Sequence, residues 1–449
     1  MSIKLDKSLY KWVVLLACLF VYSTSHLVRW NYSSVTKYLM EDLHIGKPEL
    51  GVMGAAFFYA YAAVQIPWGL AADKLGARYV IPLATGILGF FLAGFAFSGT
   101  YTEALVWRAL MGVVSASGYV SINSVLSKWF PLRQRGLAMS IFSGVGGASG
   151  EVMSFLLIPV IALFMERGIL GQTGWKASTI VMGCVVVLIG IMAAVLLRSD
   201  PTTMGLPSVQ KAEDIKPDID YREAAKEATK NPVLWLLSGV LSCYIVACRL
   251  GPAWLPLYAT EFYIQTKGMP KETAIVAGGV MATLYVLGRC LGSPVVGQVS
   301  DMLLKKYAVP RFSIVTVMMV LIVVIFGLFT LPIPSPYVLG LLAFAAGTVF
   351  NSFPILNAAT AELLSVKTAG YCTAVINTVG QVSGALSLTA SGYMAVRYSV
   401  KGGAFYTEFL GIWYLGIIAG AIGIVLAGMV IRRESKMLKL RNITGKATA

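Results

Sequence analysis

Stretches of about 20 consecutive apolar residues, the length a helix needs to cross the hydrocarbon core of a bilayer, recur from one end of the chain to the other. Nothing else constrains the fold as much. In lipid every backbone amide must be bonded internally, which leaves helices and closed barrels as the only spanning structures. Runs this long and this continuous belong to helices. Of the 449 residues, 57% are hydrophobic and 13% charged, against about 25% charged in soluble domains. The pattern predicts an all-α membrane protein with twelve spans, at 11–38, 49–72, 79–98, 102–127, 136–163, 175–197, 232–259, 272–300, 312–332, 336–361, 369–396 and 407–431. The apolar run from Trp12 to Tyr22 continues into a helical pattern with no small-residue cleavage site. It is therefore expected to remain as the first span and not to be removed as a signal peptide.

With the N-terminus placed in the cytoplasm, 24 of the 36 lysines and arginines fall in cytoplasmic segments. That bias follows the positive-inside rule and puts both termini on the cytoplasmic side. The net charge of +15 could suggest a nucleic-acid partner in a soluble protein; charge sorted by membrane side requires none. The longest polar segment, Arg198 to Asn231, carries Pro201, Pro207, Pro217 and charges of both signs. It reads as a cytoplasmic linker, 198–231, between a six-helix half at 1–197 and a second at 232–449, with Tyr221 to Lys230 as a short surface helix. Cys18, Cys184, Cys243, Cys248, Cys290 and Cys372 all lie in apolar spans without metal-ligand spacing, so they are expected to pack between helices. No metal, cofactor or disulfide framework is expected. No nucleotide-binding loop or nucleophile–base set stands on a polar segment, which argues against an enzyme.

A cation at the bilayer centre costs at least about 2.5 kcal/mol, so arginines inside spans need a reason. Arg29 lies in the first span and Arg249 in the seventh, the first helices of the two halves. Two-fold pseudosymmetry would turn both toward a central cavity, where two guanidinium groups suit an anion with several oxygens. The alternative is structural pairing with a buried carboxylate, for which Glu151 is the main candidate because Glu261 and Glu362 sit toward span ends. Tyr22, His26 and Arg29 are spaced i, i+4, i+7 and share one helical face. His26 can bond substrate, carry a proton (an imidazole ordinarily titrates near pH 6.5) or simply pack. Arg289, in the eighth span, has three readings: substrate contact, pairing with Glu151, or reaching to the cytoplasmic side. His44, in the first external loop, is expected to be solvated. Pro67, Pro252, Pro256 and Pro354, with the glycines of 143–150, are expected to provide kinks and close packing. Asn351, Asn357, Asn377 and Gln381 are polar positions that would line the cavity.

Gly69-Leu-Ala-Ala-Asp73-Lys-Leu-Gly76-Ala-Arg78 follows the second span, and Gly297-Gln-Val-Ser-Asp301 follows the eighth. The first resembles the signature of the major facilitator superfamily and the second a weaker copy of it. The resemblance implies two pseudosymmetric halves around a midplane site, with Asp73, Arg78 and Asp301 in conformational roles. Leu27-Val-Arg29-Trp-Asn31-Tyr32, Arg249-Leu-Gly251 with Trp254-Leu-Pro256-Leu-Tyr258, Lys128-Trp-Phe-Pro-Leu-Arg133-Gln-Arg135-Gly136 and Glu362-Leu-Leu-Ser-Val-Lys367-Thr-Ala-Gly370 resemble motifs of the organophosphate:phosphate antiporters, over essentially the whole chain. In that family the arginines matching Arg29 and Arg249 bind the substrate's phosphate, and Tyr22 and Tyr61 match retained tyrosines. A second-helix lysine falls at Gln65, a fifth-helix histidine at Ser143, and a first-helix tyrosine at His26. These departures favour a carboxylate or singly charged phosphate over a doubly charged monoester. The related sugar-acid:proton symporters carry a fourth-helix acid where this chain has Ser115.

These readings predict a monomeric secondary transporter that works by alternating access in the bacterial inner membrane on a small organic anion, with a phosphorylated metabolite or phosphate taken by exchange (antiport) as the leading substrate. Arg29 and Arg249 would clamp the anion, Tyr22, His26, Tyr61, Gln65 and Asn351 would complete the site, and His26 or Glu151 would couple it to protons. A proton-coupled carboxylate symporter and a transporter-like sugar-phosphate sensor are the alternatives.

Overall fold

The computed structural model describes residues 9–165, 174–207, 229–307, 309–349, 363, 369–400 and 402–447. Among them the regular elements are helical throughout. In chain order they are α1 (Tyr10–Ser34), α2 (Thr36–Asp42), α3 (Lys47–Leu75), α4 (Ala77–Phe95), α5 (Tyr101–Trp129), α6 (Leu132–Ser140), α7 (Gly146–Val152), α8 (Ile158–Phe164) and α9 (Gly174–Leu196). There follow α10 (Pro232–Lys267), α11 (Lys271–Tyr307), α12 (Arg311–Phe329), α13 (Pro336–Val349), α14 (Ala369–Arg397) and α15 (Leu410–Ala447). Nine helical stretches among the described residues are long and apolar enough to cross a membrane. The helices α3 and α14, of 29 residues each, reach about 43 Å at 1.5 Å per residue.

Local chemistry sets several of the boundaries. α3 opens with Gly46 ahead of Pro48, and the Glu49 carboxylate accepts the Gly46 amide at 3.0 Å. α5 opens on Thr100, whose hydroxyl accepts the Glu103 amide at 3.3 Å. Both are N-terminal caps that occupy amides the first turn leaves without partners. Between α3 and α4 the chain turns at Gly76, whose φ of 85° is costly for any residue with a Cβ. α6, α7 and α8 form one continuous stretch interrupted by two π-helical turns, Ile141–Val145 and Met153–Leu157. His44 is exposed in the first loop, as expected of it.

The described residues divide into two compact units. One gathers those within 1–217 together with Ala259–Thr283; the other gathers those within 218–258 and 284–449. Packing thus takes the end of α10 and the start of α11 into the first unit, away from the rest of the same helices. Three contacts within that unit hold them. Lys37 Nζ lies 2.7 Å from Glu261 Oε1, and Lys271 Nζ 2.7 Å from Glu41 Oε2. Gly279 meets the Phe155 carbonyl so closely that a Cβ there would stand 1.9 Å from its oxygen. A core of Val14, Val21, Ile122, Leu126, Trp129 and Phe142 fills part of this unit.

The second unit is centred on stacked and edge-on rings: Tyr258, Phe326, Phe329, Phe409 and Trp413, with Phe329 and Trp413 centroids 5.0 Å apart. Its α12 is capped from a distance. The Glu434 carboxylate of α15 accepts the Arg311 amide at 2.7 Å and the Phe312 amide at 3.1 Å.

Candidate functional site

Buried polar and charged groups of the first unit, among them His26, Glu151 and Arg108, meet at α1. Tyr22, His26 and Arg29 share its face, as their spacing requires, and the Tyr22 and His26 ring centroids lie 4.7 Å apart. α7 crosses this face at close range because position 150 is glycine: a Cβ there would lie 2.0 Å from the Ser23 carbonyl oxygen and 2.9 Å from His26 Cβ. The approach brings Glu151, 1% exposed, onto the imidazole, with His26 Nδ1 2.9 Å from Glu151 Oε1. The sequence left Glu151 as a partner for an arginine. The structure brings it into contact with His26.

Arg29 is half-buried. Its guanidinium carbon lies 5.7 Å from the Phe58 ring centroid and 5.5 Å from that of Tyr61, so α3 presents it with two aromatic faces, a favourable cation–π setting. Among the described residues no carboxylate pairs with it, and its buried Nε has no hydrogen-bond partner. Structural pairing therefore does not account for Arg29 among those residues. Gln65 follows Tyr61 by one turn on α3 and is half-buried.

A second guanidinium was missed in the sequence. Arg108 of α5 is fully buried, and it was not among the arginines singled out inside the spans. Its Nη1 donates to the Val28 carbonyl at 2.8 Å and to Asn31 Oδ1 at 3.3 Å, and its Nη2 donates to the Arg29 carbonyl at 3.0 Å. Its guanidinium carbon lies 4.5 Å from the Tyr32 ring centroid and 4.9 Å from that of Phe57. Arg108 thus grips the backbone of the turn that carries Arg29, again with no carboxylate among the described residues. An Arg and an Asn facing each other from two apolar runs are the signal that could have found it. Ser115, on the same helix, bonds Ser25 of α1.

In the second unit Arg249 stands on α10 and donates from Nη2 to Gln381 Oε1 of α14 at 2.6 Å. A Cβ at Gly384 would lie 3.2 Å from Arg249 Cγ, so the glycine makes room for the side chain. Gln381 Nε2 in turn lies 3.4 Å from Asn377 Oδ1. Both residues had been expected to line the cavity; here they form a polar row beside Arg249. Arg289 is half-buried on α11. Asn351, Asn357, Pro354 and Glu362, and most of the expected 221–230 surface helix, lie outside the described residues.

Of the residues assigned conformational roles, Asp73 lies on the last turn of α3. The Arg78 amide donates to Ser199 Oγ at 2.9 Å, tying the start of α4 to the end of α9. Asp301 forms an ion pair with Arg311 at 2.6 Å. The three groups therefore stand at helix junctions, the second and third in direct contacts between helix ends. None of the six cysteines is in a disulfide among the described residues; Cys18, Cys243 and Cys372 are buried and Cys184 is exposed.

The profile of the Major Facilitator Superfamily matches residues 18–388. The chain belongs to that superfamily, and its fold is the all-α membrane fold of the group. Among curated relatives, a glycerol-3-phosphate transporter of Haemophilus influenzae is 24% identical, over 95% of this chain and 92% of its own length. The membrane sensor protein UhpC of Escherichia coli is 25% identical over 83% of each chain. A probable sulfoacetate transporter of Cupriavidus necator is 26% identical, and the match spans 64% of each. These relatives bear out the resemblance to the organophosphate:phosphate antiporters. A crystal structure of a bacterial homologue of the human lysosomal transporter Spinster, inward-facing and unoccupied, superimposes with a TM-score of 0.73 at 16% identity, covering 96% of this chain and 98% of that one.

Proposed function

We propose that this protein is a secondary active transporter of a small organic anion, working by alternating access in the bacterial inner membrane with both termini cytoplasmic. It binds the anion's acidic group, a phosphate, sulfonate or carboxylate, through Arg29 of the first unit and Arg249 of the second. The observation that carries this reading is Arg29 itself. A guanidinium in a spanning helix, set against two aromatic rings, with no carboxylate among the described residues and a second uncompensated guanidinium on its own backbone, is a site of positive potential awaiting an anion. The cost of holding such charge in the bilayer is offset when that anion arrives. Tyr22, His26, Tyr61, Gln65 and Asn351 complete the site, while Asp73, Arg78 and Asp301 act at the helix junctions that rearrange. One chain holds both units and acts as a monomer. Relatives named for glycerol-3-phosphate, hexose phosphate and sulfoacetate transport support the anion class.

The test is exchange in proteoliposomes containing the purified protein, following labelled glycerol-3-phosphate, sulfoacetate and inorganic phosphate. Exchange of at least one, competed by unlabelled anions and not by glycerol, is expected. Binding of a sugar phosphate without any flux would instead identify a sensor of the kind named among the relatives.

A further inference from the structure

We propose that the furrow between α4 and α9 of the first unit binds one acyl chain of an anionic phospholipid, with the lipid phosphate held at Arg78 and Arg198. The proposal is independent of the transported anion and needs only that the chain spans a membrane; placing the site in the inner leaflet rests on the orientation proposed above. The furrow has a volume of about 590 Å³, and Arg78 is the one charged residue in a lining of apolar side chains and glycine. Its walls include Tyr79, Leu83 and Phe90 of α4 and Ile191 of α9, which are 68%, 67%, 64% and 56% exposed. Large apolar side chains this open on spanning helices mark a face turned to lipid. Its floor exists because two glycines meet. A Cβ at Gly190 would stand 2.9 Å from the Gly86 nitrogen and 3.2 Å from the Pro82 carbonyl oxygen, a backbone approach that small residues permit in membranes. A Cβ at Gly86 would meet nothing within 4 Å, so the space beside it is open to a chain from outside.

Length and charge select the occupant. The furrow follows α4 from Arg78 to Phe90, about 18 Å at 1.5 Å per residue. One leaflet of hydrocarbon is about 15 Å deep, half of the core. A single acyl chain fills that depth, whereas a spanning helix of a second copy would need the whole thickness. The charge lies at one end. Arg78 is in the first turn of α4 with its guanidinium carbon 5.9 Å from the Tyr79 ring centroid, and among the described residues no carboxylate pairs with it. The bond from the Arg78 amide to Ser199 sets the end of α9 beside it. There Arg198 Nη1 donates to the Val195 and Leu197 carbonyls, each at 2.9 Å, which keeps a second cation just beyond Ala194 of the furrow wall. The Asp200 carboxylate is engaged by the Thr202 amide and hydroxyl at 2.9 and 2.8 Å. Two guanidinium groups where the hydrocarbon gives way to headgroups suit a phosphate, to which arginine donates paired hydrogen bonds. Basic positions between spanning helices recognise anionic headgroups in this way.

The experiment uses the full chain in phosphatidylcholine liposomes that carry a trace of phosphatidylglycerol or phosphatidylcholine with a photoactivatable diazirine on one acyl chain. Cross-linked peptides are mapped by mass spectrometry. The phosphatidylglycerol probe should label α4 and α9 along the furrow about fivefold more than the phosphatidylcholine probe, the discrimination that one cation gives beside an anionic lipid. Unlabelled phosphatidylglycerol in excess should remove the difference. Arg78→Gln should cut labelling by the phosphatidylglycerol probe about fivefold on the same basis, and Arg78→Lys should retain most of it. Gly86→Leu, whose side chain enters open space, should lose labelling along the furrow by both probes while keeping its unfolding temperature. Equal labelling of wild type by the two probes would overturn the proposal, because the furrow would then select no headgroup. Unchanged labelling in both Arg78→Gln and Gly86→Leu would also overturn it. So would cross-links joining two copies of the chain through α4 and α9, which would make the furrow an interface between copies. The wild-type comparison decides even where a variant fails to fold.

Discussion

Position 150 offers the sharpest test of the packing that builds the site. In Gly150→Ala the new methyl would stand 2.0 Å from the Ser23 carbonyl oxygen, 2.8 Å from its carbon and 2.9 Å from His26 Cβ. Ordinary contact between carbon and these atoms lies near 3.4 Å, so α7 and α1 must separate by about 1.4 Å at this point. Two of the three obstacles are main chain and the third is a Cβ, so none can rotate aside. Overpacking of this kind costs about 1–3 kcal/mol, which corresponds to about 3–10 °C in apparent melting temperature for a unit of some two hundred residues. The same movement lengthens the 2.9 Å contact between His26 and Glu151 beyond hydrogen-bond range. Gly144→Ala is the control, since nothing lies within 4 Å of a Cβ there. Unfolding followed by labelling of the buried Cys18, Cys243 and Cys372 thiols with a fluorogenic maleimide reads the stability, and anion exchange in proteoliposomes reads the site. A Gly150→Ala protein as stable and as active in exchange as Gly144→Ala would refute the close crossing of α1 and α7.

Other perturbations have separate readouts. Arg108→Lys keeps the charge but not the fork that reaches Val28, Arg29 and Asn31; hydrogen bonds to charged groups contribute about 1.5–3 kcal/mol, so anion affinity should fall about tenfold or more while the protein still inserts. Exchanging Lys37 and Glu261, half-buried partners at 2.7 Å, should recover most of the stability lost in either single charge reversal, with a coupling of about 1 kcal/mol in a double-mutant cycle. Glu434→Ala removes the cap from two α12 amides and should cost about 1–2 kcal/mol, read by the same thiol labelling; Glu434→Gln, which retains acceptor oxygen, should cost less.

The class of fold was legible because the bilayer allows so few structures: apolar length and the loop after the second span were sufficient to expect it. Arg29 and His26 were legible from their spacing on one helix. What they touch was not, because partners come from other helices. Glu151 reaches His26 through a crossing angle and a glycine contact, neither of which periodicity encodes. Arg108 was hidden for a related reason. Its burial depends on the carbonyls of Val28 and Arg29, backbone groups that carry no side-chain signature. The π-helical turns around Glu151 leave the apolar pattern unbroken and so leave no trace in it. The gathering of Ala259–Thr283 with the first unit likewise follows from contacts such as Lys37 with Glu261, more than two hundred residues apart in sequence.

The central claim is that Arg29 is a cation kept for an anion. The most direct measurement is equilibrium binding of glycerol-3-phosphate and sulfoacetate to the purified wild type, Arg29→Lys and Arg29→Ala, with melting temperatures recorded alongside. The account predicts that Arg29→Ala loses affinity by about 10- to 100-fold, from the 1.5–3 kcal/mol of a charged hydrogen bond, with no loss of stability, and that Arg29→Lys falls between. Unchanged anion affinity in Arg29→Ala, or a collapse of stability with affinity retained in the folded fraction, would contradict it.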